Sequence, residues 1–263
     1  MKKVMLLSLL LLYLYGCGTN DTDENLLTTC SITNISPSSN FKYDISSKLD
    51  VNYSISPNIS NGYTEIWLND NKIMDLSISD RTFSIPHTSL KAGGNKIKIV
   101  VSDNKTKTNT TADITMTVKI GDFFGGGIVF KVNANGTSGL ITTANDIQGG
   151  TLNKFQYAGT FQLQSTGATS ATDGKLNTEK LKDINDSAGR MCYYYEGAGF
   201  TDWYLPSFEE LSILRVNEYL DHYNHYWSST ELSASEAKMS VCALTLERCS
   251  KTYKNKIRAI RQF

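Results

Sequence analysis

The sequence predicts a multidomain chain, a β-strand sandwich followed by a unit that mixes hairpins with helices, behind an export leader. Three observations carry this. Apolar and polar residues alternate through residues 31–118 with no helical period. After Ile120-Gly121-Asp122 glycine becomes dense and helical spacing appears for the first time. Met1 to Cys17 reads MKKVMLLSLLLLYLYGC, two lysines before a short apolar run. The 263 residues suffice for two ordinary domains. Only 4 prolines, with 40% hydrophobic and 10% aromatic residues, exclude a disordered or collagenous chain.

The leader comes first. Its apolar run, Val4 to Tyr15, is too short for a spanning helix, which needs about 20 residues. Leu14-Tyr15-Gly16-Cys17 resembles the bacterial lipobox, although Tyr15 stands where a small residue is commoner. That resemblance implies a signal peptide over 1–16 and a lipid-modified Cys17 opening a flexible tether over 17–30. The other reading is an ordinary signal with an incidental cysteine. Several acyl chains hold a protein on a membrane far more firmly than one. Gly18 rather than Asp after the cysteine favours, by resemblance to lipoprotein sorting, the outer membrane. The acidic stretch Asp21, Asp23, Glu24 resembles a surface-export signal and equally suits a solvated spacer. The partner expected here is the bacterial membrane, with the protein lipid-anchored in the outer membrane or on the cell surface.

Leu49, Val51, Tyr53 and Ile55 then recur at every second position. Glu65–Leu68 runs into the turn cluster Asn69-Asp70-Asn71 and returns through Lys72–Met74. Phe83 and Ile85, then Ile97, Ile99 and Val101, then Ile114, Met116 and Val118 repeat the alternation. About seven short strands over residues 31–118 have the size and rhythm of an immunoglobulin-like sandwich. Such a unit serves as a spacer or a protein-contact module.

In residues 119–263, Gly125-Gly126-Gly127 lacks both nucleotide-binding spacings and precedes a strand, so phosphate binding is not expected. Ile128–Val132 and Gly139–Ile141 read as a hairpin around Asn133–Gly136. Leu181, Ile184, Ala188 and Met191-Cys192 predict one helix, capped by Asn177 or Thr178. Ser207 and Glu210 form a capping box opening a second helix through Leu211 and Leu214. Tyr226–Thr230 reads as a strand, followed by a hairpin around Val241–Arg248 and a closing Ile257–Arg261.

Four ordered segments, IGDFFGGGIVFKVNANGTSGL (120–140), GFTDWYLPSFEEL (199–211), YWSSTE (226–231) and KIRAIR (256–261), resemble the Lcl C-terminal domain family, named for a bacterial collagen-like adhesin. The resemblance covers essentially all of residues 120–263. It implies an α+β, C-type-lectin-like fold, with two helices on a mainly antiparallel sheet. The member that names the family binds sulfated glycosaminoglycans and promotes adhesion. Trp203 and Trp227 are expected to serve the core, and the sugar-coordinating triplets of calcium-dependent lectins are absent.

Charge balances at 26 cations against 26 acids, or 24 against 26 without Lys2 and Lys3, a net −2 that argues against nucleic acid as partner. Arg248, Lys251, Lys254, Lys256, Arg258 and Arg261 nevertheless form a cationic run with no acid between them. This is the candidate polyanion-binding patch for a glycan or glycosaminoglycan. Its bland counterpart is a wet face paired with nearby acids. His222 and His225, three apart, are weak metal ligands without a third; no metal and no cofactor are expected. Cys242 and Cys249 are the candidate disulfide in the predicted hairpin, with Cys30 and Cys192 unassigned. The same pair raises an oxidative enzyme of the formylglycine-generating type, which shares the lectin-like fold. The expected function is non-catalytic binding of a glycan or host-matrix ligand. The alternative is a structural envelope protein with a protein partner.

Overall fold

The computed structural model describes residues 31–36, 41–46, 48–56, 59–103, 107–150, 152–159, 163–240 and 246–263. The leader, Cys17, Cys30 and Cys242 lie outside them. The described residues are mostly β-strand, and those of 31–118 follow the alternation of the sequence.

Eight strands come first: β1 (Ser31–Ser36), β2 (Phe41–Lys42), β3 (Lys48–Ser56), β4 (Tyr63–Leu68), β5 (Asn71–Ser77), β6 (Thr82–Pro86), β7 (Gly93–Ser102) and β8 (Lys107–Thr117). They form a three-stranded sheet, β1-β3-β6, and a five-stranded sheet, β2-β8-β7-β4-β5. Period-two alternation makes the core. Leu49, Val51, Tyr53 and Ile55 of β3 point inward with Phe83 and Ile85 of β6. From the larger sheet come Ile66, Leu68, Ile97, Ile99, Val101, Ile114 and Met116, in the same cluster. Asn69 and Asp70 take φ of 49° and 67°, the left-handed pair that a two-residue hairpin turn requires.

Residues 119–263 add β9 (Phe123–Phe124), β10 (Gly127–Val132), β11 (Gly139–Thr142) and β12 (Phe155–Gln156). Three helices follow, α1 (Gly174–Leu181), α2 (Ala188–Tyr193) and α3 (Phe208–Val216). The chain closes with β13 (Tyr226–Glu231), β14 (Glu236–Ser240), β15 (Leu246–Ser250), β16 (Lys254–Asn255) and β17 (Ile260–Gln262). The sheets are β17-β11-β10-β9, β13-β14-β15 and the pair β12-β16. α1 packs on α2 and β13, and α3 on β13 and β14.

One expected helix is two. Asp186 has φ of 58°, breaking the run, and Ser187 restarts it by accepting a hydrogen bond from Arg190 N–H. Neither Asn177 nor Thr178 caps α1. Asp173 does, accepting from Leu176 N–H, while the buried Asn177 amide is engaged with the Ser170 backbone. The capping box of Ser207 and Glu210 is present in both directions. Trp203 and Trp227 are buried, as expected of core residues.

The two stretches share one apolar cluster, which runs from Tyr43 and Val118 into Phe124, Val129 and Ile141. Tyr43 stacks edge-to-face on Phe124 at 5.1 Å and donates its hydroxyl to Phe123 O at 3.0 Å. Val118 N–H donates to Gly136 O at 2.8 Å.

Candidate functional site

The cationic run does not form one exposed patch. Lys251 is fully buried and donates to Glu231 and to the carbonyls of Gln164 and Ala234, at 2.9 Å each. Arg258 is buried against Asp146, at 2.8 Å, and donates to the carbonyls of Thr143 and Ala144. Lys256 bridges Asp146 at 3.0 Å and Asp221 at 3.7 Å. Burial alone would lower its pKa; the hydrogen bond and charge of Asp146 reverse that and hold it above the ordinary value. Arg261 grips Asp202 through two nitrogens, at 2.7 and 3.1 Å. Arg248 is 73% exposed with Glu236 only at 3.9 Å, and Lys254 is exposed on β16. Most charges of the run thus tie the terminal segment to acids elsewhere in the chain, while Arg248 and Lys254 stay exposed.

Cys249 carries a free, half-buried thiol opposite Ala237 in the β14–β15 register, whereas its expected partner Cys242 lies outside the described residues. Burial pushes the thiols of Cys249 and Cys192 up, Cys192 the further. Among the described residues no group of three His, Cys, Asp or Glu side chains could hold a metal ion, and His222 and His225 are both exposed. No described helix is long and apolar enough to cross a membrane.

Two hollows flank one segment, Gly197–Tyr204, which holds the Gly-Phe-Thr-Asp-Trp motif. The first is a polar cleft of about 220 Å³ between α1, the end of α2 and Thr201–Tyr204. Helical spacing puts Lys175, Thr178 and Glu179 on its α1 wall, with Tyr193 of α2 opposite Asp202 and Thr201. Thr178 pins this wall: its hydroxyl donates to Leu205 O at 3.3 Å and accepts from Leu205 N–H at 3.0 Å. Asp202 is half-exposed, its carboxylate oriented by Arg261. Lys182, bonded to Glu179 at 2.8 Å, stands 5.1 Å over the Tyr193 ring. Beneath lies Trp203, whose buried indole N–H has no hydrogen-bond partner among the described residues. Tyr204 behind it donates to Glu210, whose carboxyl is pushed up by burial against the opposing hydrogen bonds from Ser207 and Tyr204.

The second hollow is an apolar groove of about 680 Å³ between the Thr88–Ala92 turn and the Phe123–Gly126 turn, closed by Phe200 and Phe263. Gly126, φ 87°, is required there: a Cβ would stand 2.9 Å from Ala198 Cβ and Phe200 Cδ2. Arg261 stacks on Phe200 at 3.9 Å, so its pair with Asp202 passes between the two hollows. The motif residues Phe123, Gly126, Phe200 and Arg261 thus meet at one place. Of these, sequence reading singles out only Arg261, as a member of the cationic run, and it does not bring the four together.

No family model and no curated protein matches this chain. Among solved structures it is similar to a fimbrial protein from Bacteroides ovatus ATCC 8483, with a TM-score of 0.39 and 15% identity over 84% of this chain and 68% of that one. It is similar also to the Bacteroides ovatus mixed-linkage glucan utilization locus protein SGBP-B in complex with a mixed-linkage heptasaccharide, with a TM-score of 0.27 and 15% identity over 44% of this chain and 31% of that one. The fibronectin(III)-like modules of Clostridium thermocellum CbhA match at a TM-score of 0.28 and 12% identity, over 34% of this chain and 97% of those modules.

Proposed function

We propose that this chain is a lipid-anchored, non-catalytic surface protein. In this reading an immunoglobulin-like sandwich, residues 31–118, presents a C-type-lectin-like α+β unit, residues 119–263, of the Lcl C-terminal kind, and that unit binds a glycan. The observation that carries it is the polar cleft. Two carboxylates, an amine and the Thr201 hydroxyl border it beside the Tyr193 ring. Convergent polar groups next to an aromatic, amphipathic side chain suit a ligand rich in hydroxyls and C–H faces. The neutralised terminal cations favour an uncharged glycan over a sulfated one. Thiols held up by burial favour binding over oxidative catalysis, because the thiolate is the reactive form.

The test is a glycan array on the full-length chain, followed by calorimetric titration of the best oligosaccharide. Tyr193→Ala should weaken binding at least tenfold, Glu179→Gln severalfold, and Arg248→Glu not at all. Heparin should be retained weakly. Tight heparin retention abolished by Arg248→Glu, or array binding indifferent to Tyr193→Ala, would reject the cleft. Palmitate labelling that persists in Cys17→Ala would reject the anchor.

A further inference from the structure

The groove beside Phe123 lies on the far side of the Gly197–Tyr204 segment from the cleft and has a different chemistry. Its volume of about 680 Å³ falls within the roughly 300–1,000 Å³ of small-molecule sites, which often sit where two units meet. Its apolar wall is continuous: Tyr43, Phe124 and Phe263 stack edge-to-face in series, at 5.1 and 5.4 Å. At its mouth Ile45 and Phe123 remain 53% and 46% exposed, two large apolar side chains facing the same hollow. Both charged side chains that line it, Lys91 and Arg261, are cations, and no Asp or Glu side chain does. Arg261 is neutralised by Asp202, which faces the cleft instead. Lys91 is exposed, and no ion pair to it is found among the described residues.

We propose that this groove binds an anionic amphiphile: an apolar body of acyl-chain or bicyclic size carrying one carboxylate or sulfonate. The body covers Phe123 and Ile45, removing from water the apolar surface the fold leaves open. The anionic group meets the Lys91 ammonium at the rim, where partial desolvation strengthens the pairing. A neutral polypeptide would find the same apolar wall and would leave Lys91 without a partner.

The experiment uses the full chain in lipid nanodiscs and two twelve-carbon diazirine probes, a carboxylate and the corresponding alcohol, with adducts located by mass spectrometry. The carboxylate should label residues 43–45, 88–92 or 123–124, and excess dodecanoate should displace it. Lys91→Glu should cut carboxylate labelling at least tenfold and change alcohol labelling less than twofold. Phe123→Ser should cut both. Lys91→Gln, a smaller surface change, should reproduce the selective loss if Lys91→Glu fails to fold. Labelling scattered over the chain, equal effects of the Lys91 variants on both probes, or better displacement by an uncharged aromatic peptide would each overturn the proposal. Tyr193→Ala should leave labelling unchanged, which separates this site from the glycan cleft.

Discussion

Lys251 and Glu231 form the most buried ion pair among the described residues, and their value lies in what they hold. The ammonium spends its three donors on Glu231, Gln164 O and Ala234 O, while Glu231 also accepts from Thr166 N–H, Gly167 N–H and the Ser165 hydroxyl. Every polar group is satisfied, which is the condition under which such a pair is tolerated in a core. Burial would raise the Glu231 carboxyl; the Lys251 hydrogen bond and the two backbone N–H groups reverse this and hold it below the ordinary 4.5. A carboxyl whose pKa is depressed in the folded state stabilises the fold above its unfolded pKa. That contribution is lost as pH falls through the folded value. Urea midpoints should therefore decline below about pH 4.5 in the wild type and decline less in Glu231→Gln, which starts lower at pH 7. Lys251→Met strands the carboxylate, and removing one partner of a buried pair costs about 3–5 kcal/mol. Equal pH slopes in wild type and Glu231→Gln would show that other carboxyls govern acid unfolding.

The strand β13 is buried at all six positions although four of them, Ser228 to Glu231, are polar. Each hydroxyl has work: Ser228 donates to Lys238 O, and Ser229 accepts from Asn177. Thr230 joins two elements, donating to Ser170 O at 2.8 Å and accepting from Phe208 N–H at 3.0 Å in the first turn of α3. Thr230→Val keeps the shape and orphans both groups, at about 1–3 kcal/mol. Thr230→Ser should cost under about 1 kcal/mol, because it keeps the hydroxyl. Chemical denaturation distinguishes them, and equal losses would mean that the methyl matters instead. Strands β3 and β7 were readable because period-two alternation is local, whereas β13, read as a strand at Tyr-Trp-Ser-Ser-Thr, carries no such alternation and is buried on both faces. The break at Asp186 was not readable, since Leu181, Ile184, Ala188 and Cys192 keep helical spacing straight across it. Nor was the fate of the terminal cations. Asp146, which binds Arg258, stands 112 residues away, and no local pattern announces so distant an acid. The cleft and the groove were hidden for the same reason, each being assembled from segments far apart in sequence.

The whole chain is expected to unfold as one body. Among the described residues its larger apolar cluster runs from β3 and β7 through Tyr43, Val118 and Phe124 into Val129, Ile141 and Ala259, so one body of apolar side chains spans the junction of the two stretches. Hydrogen bonds reinforce the join: Tyr43 reaches Phe123 O, and Val118 N–H reaches Gly136 O. The approach there is close. A Cβ on Gly136, φ 69°, would stand 2.8 Å from Val118 O, so a side chain at this position must push the two stretches apart. A rigid join would give the cleft and the groove a fixed relation to the sandwich, whereas a loose one would leave the groove open on one side. Calorimetry of the wild type should give a single transition with equal calorimetric and van't Hoff enthalpies. Phe124→Ala removes the ring between Tyr43 and Phe263, and a buried phenylalanine lost to alanine costs about 3–5 kcal/mol. That loss falls on the join, so the endotherm should split into two while each half keeps most of its own enthalpy. Tyr43→Phe, which deletes only the hydrogen bond to Phe123 O, should leave one transition at a slightly lower temperature. Two transitions already present in the wild type would mean that the shared cluster does not couple the halves, and that the groove opens and closes with their independent motion.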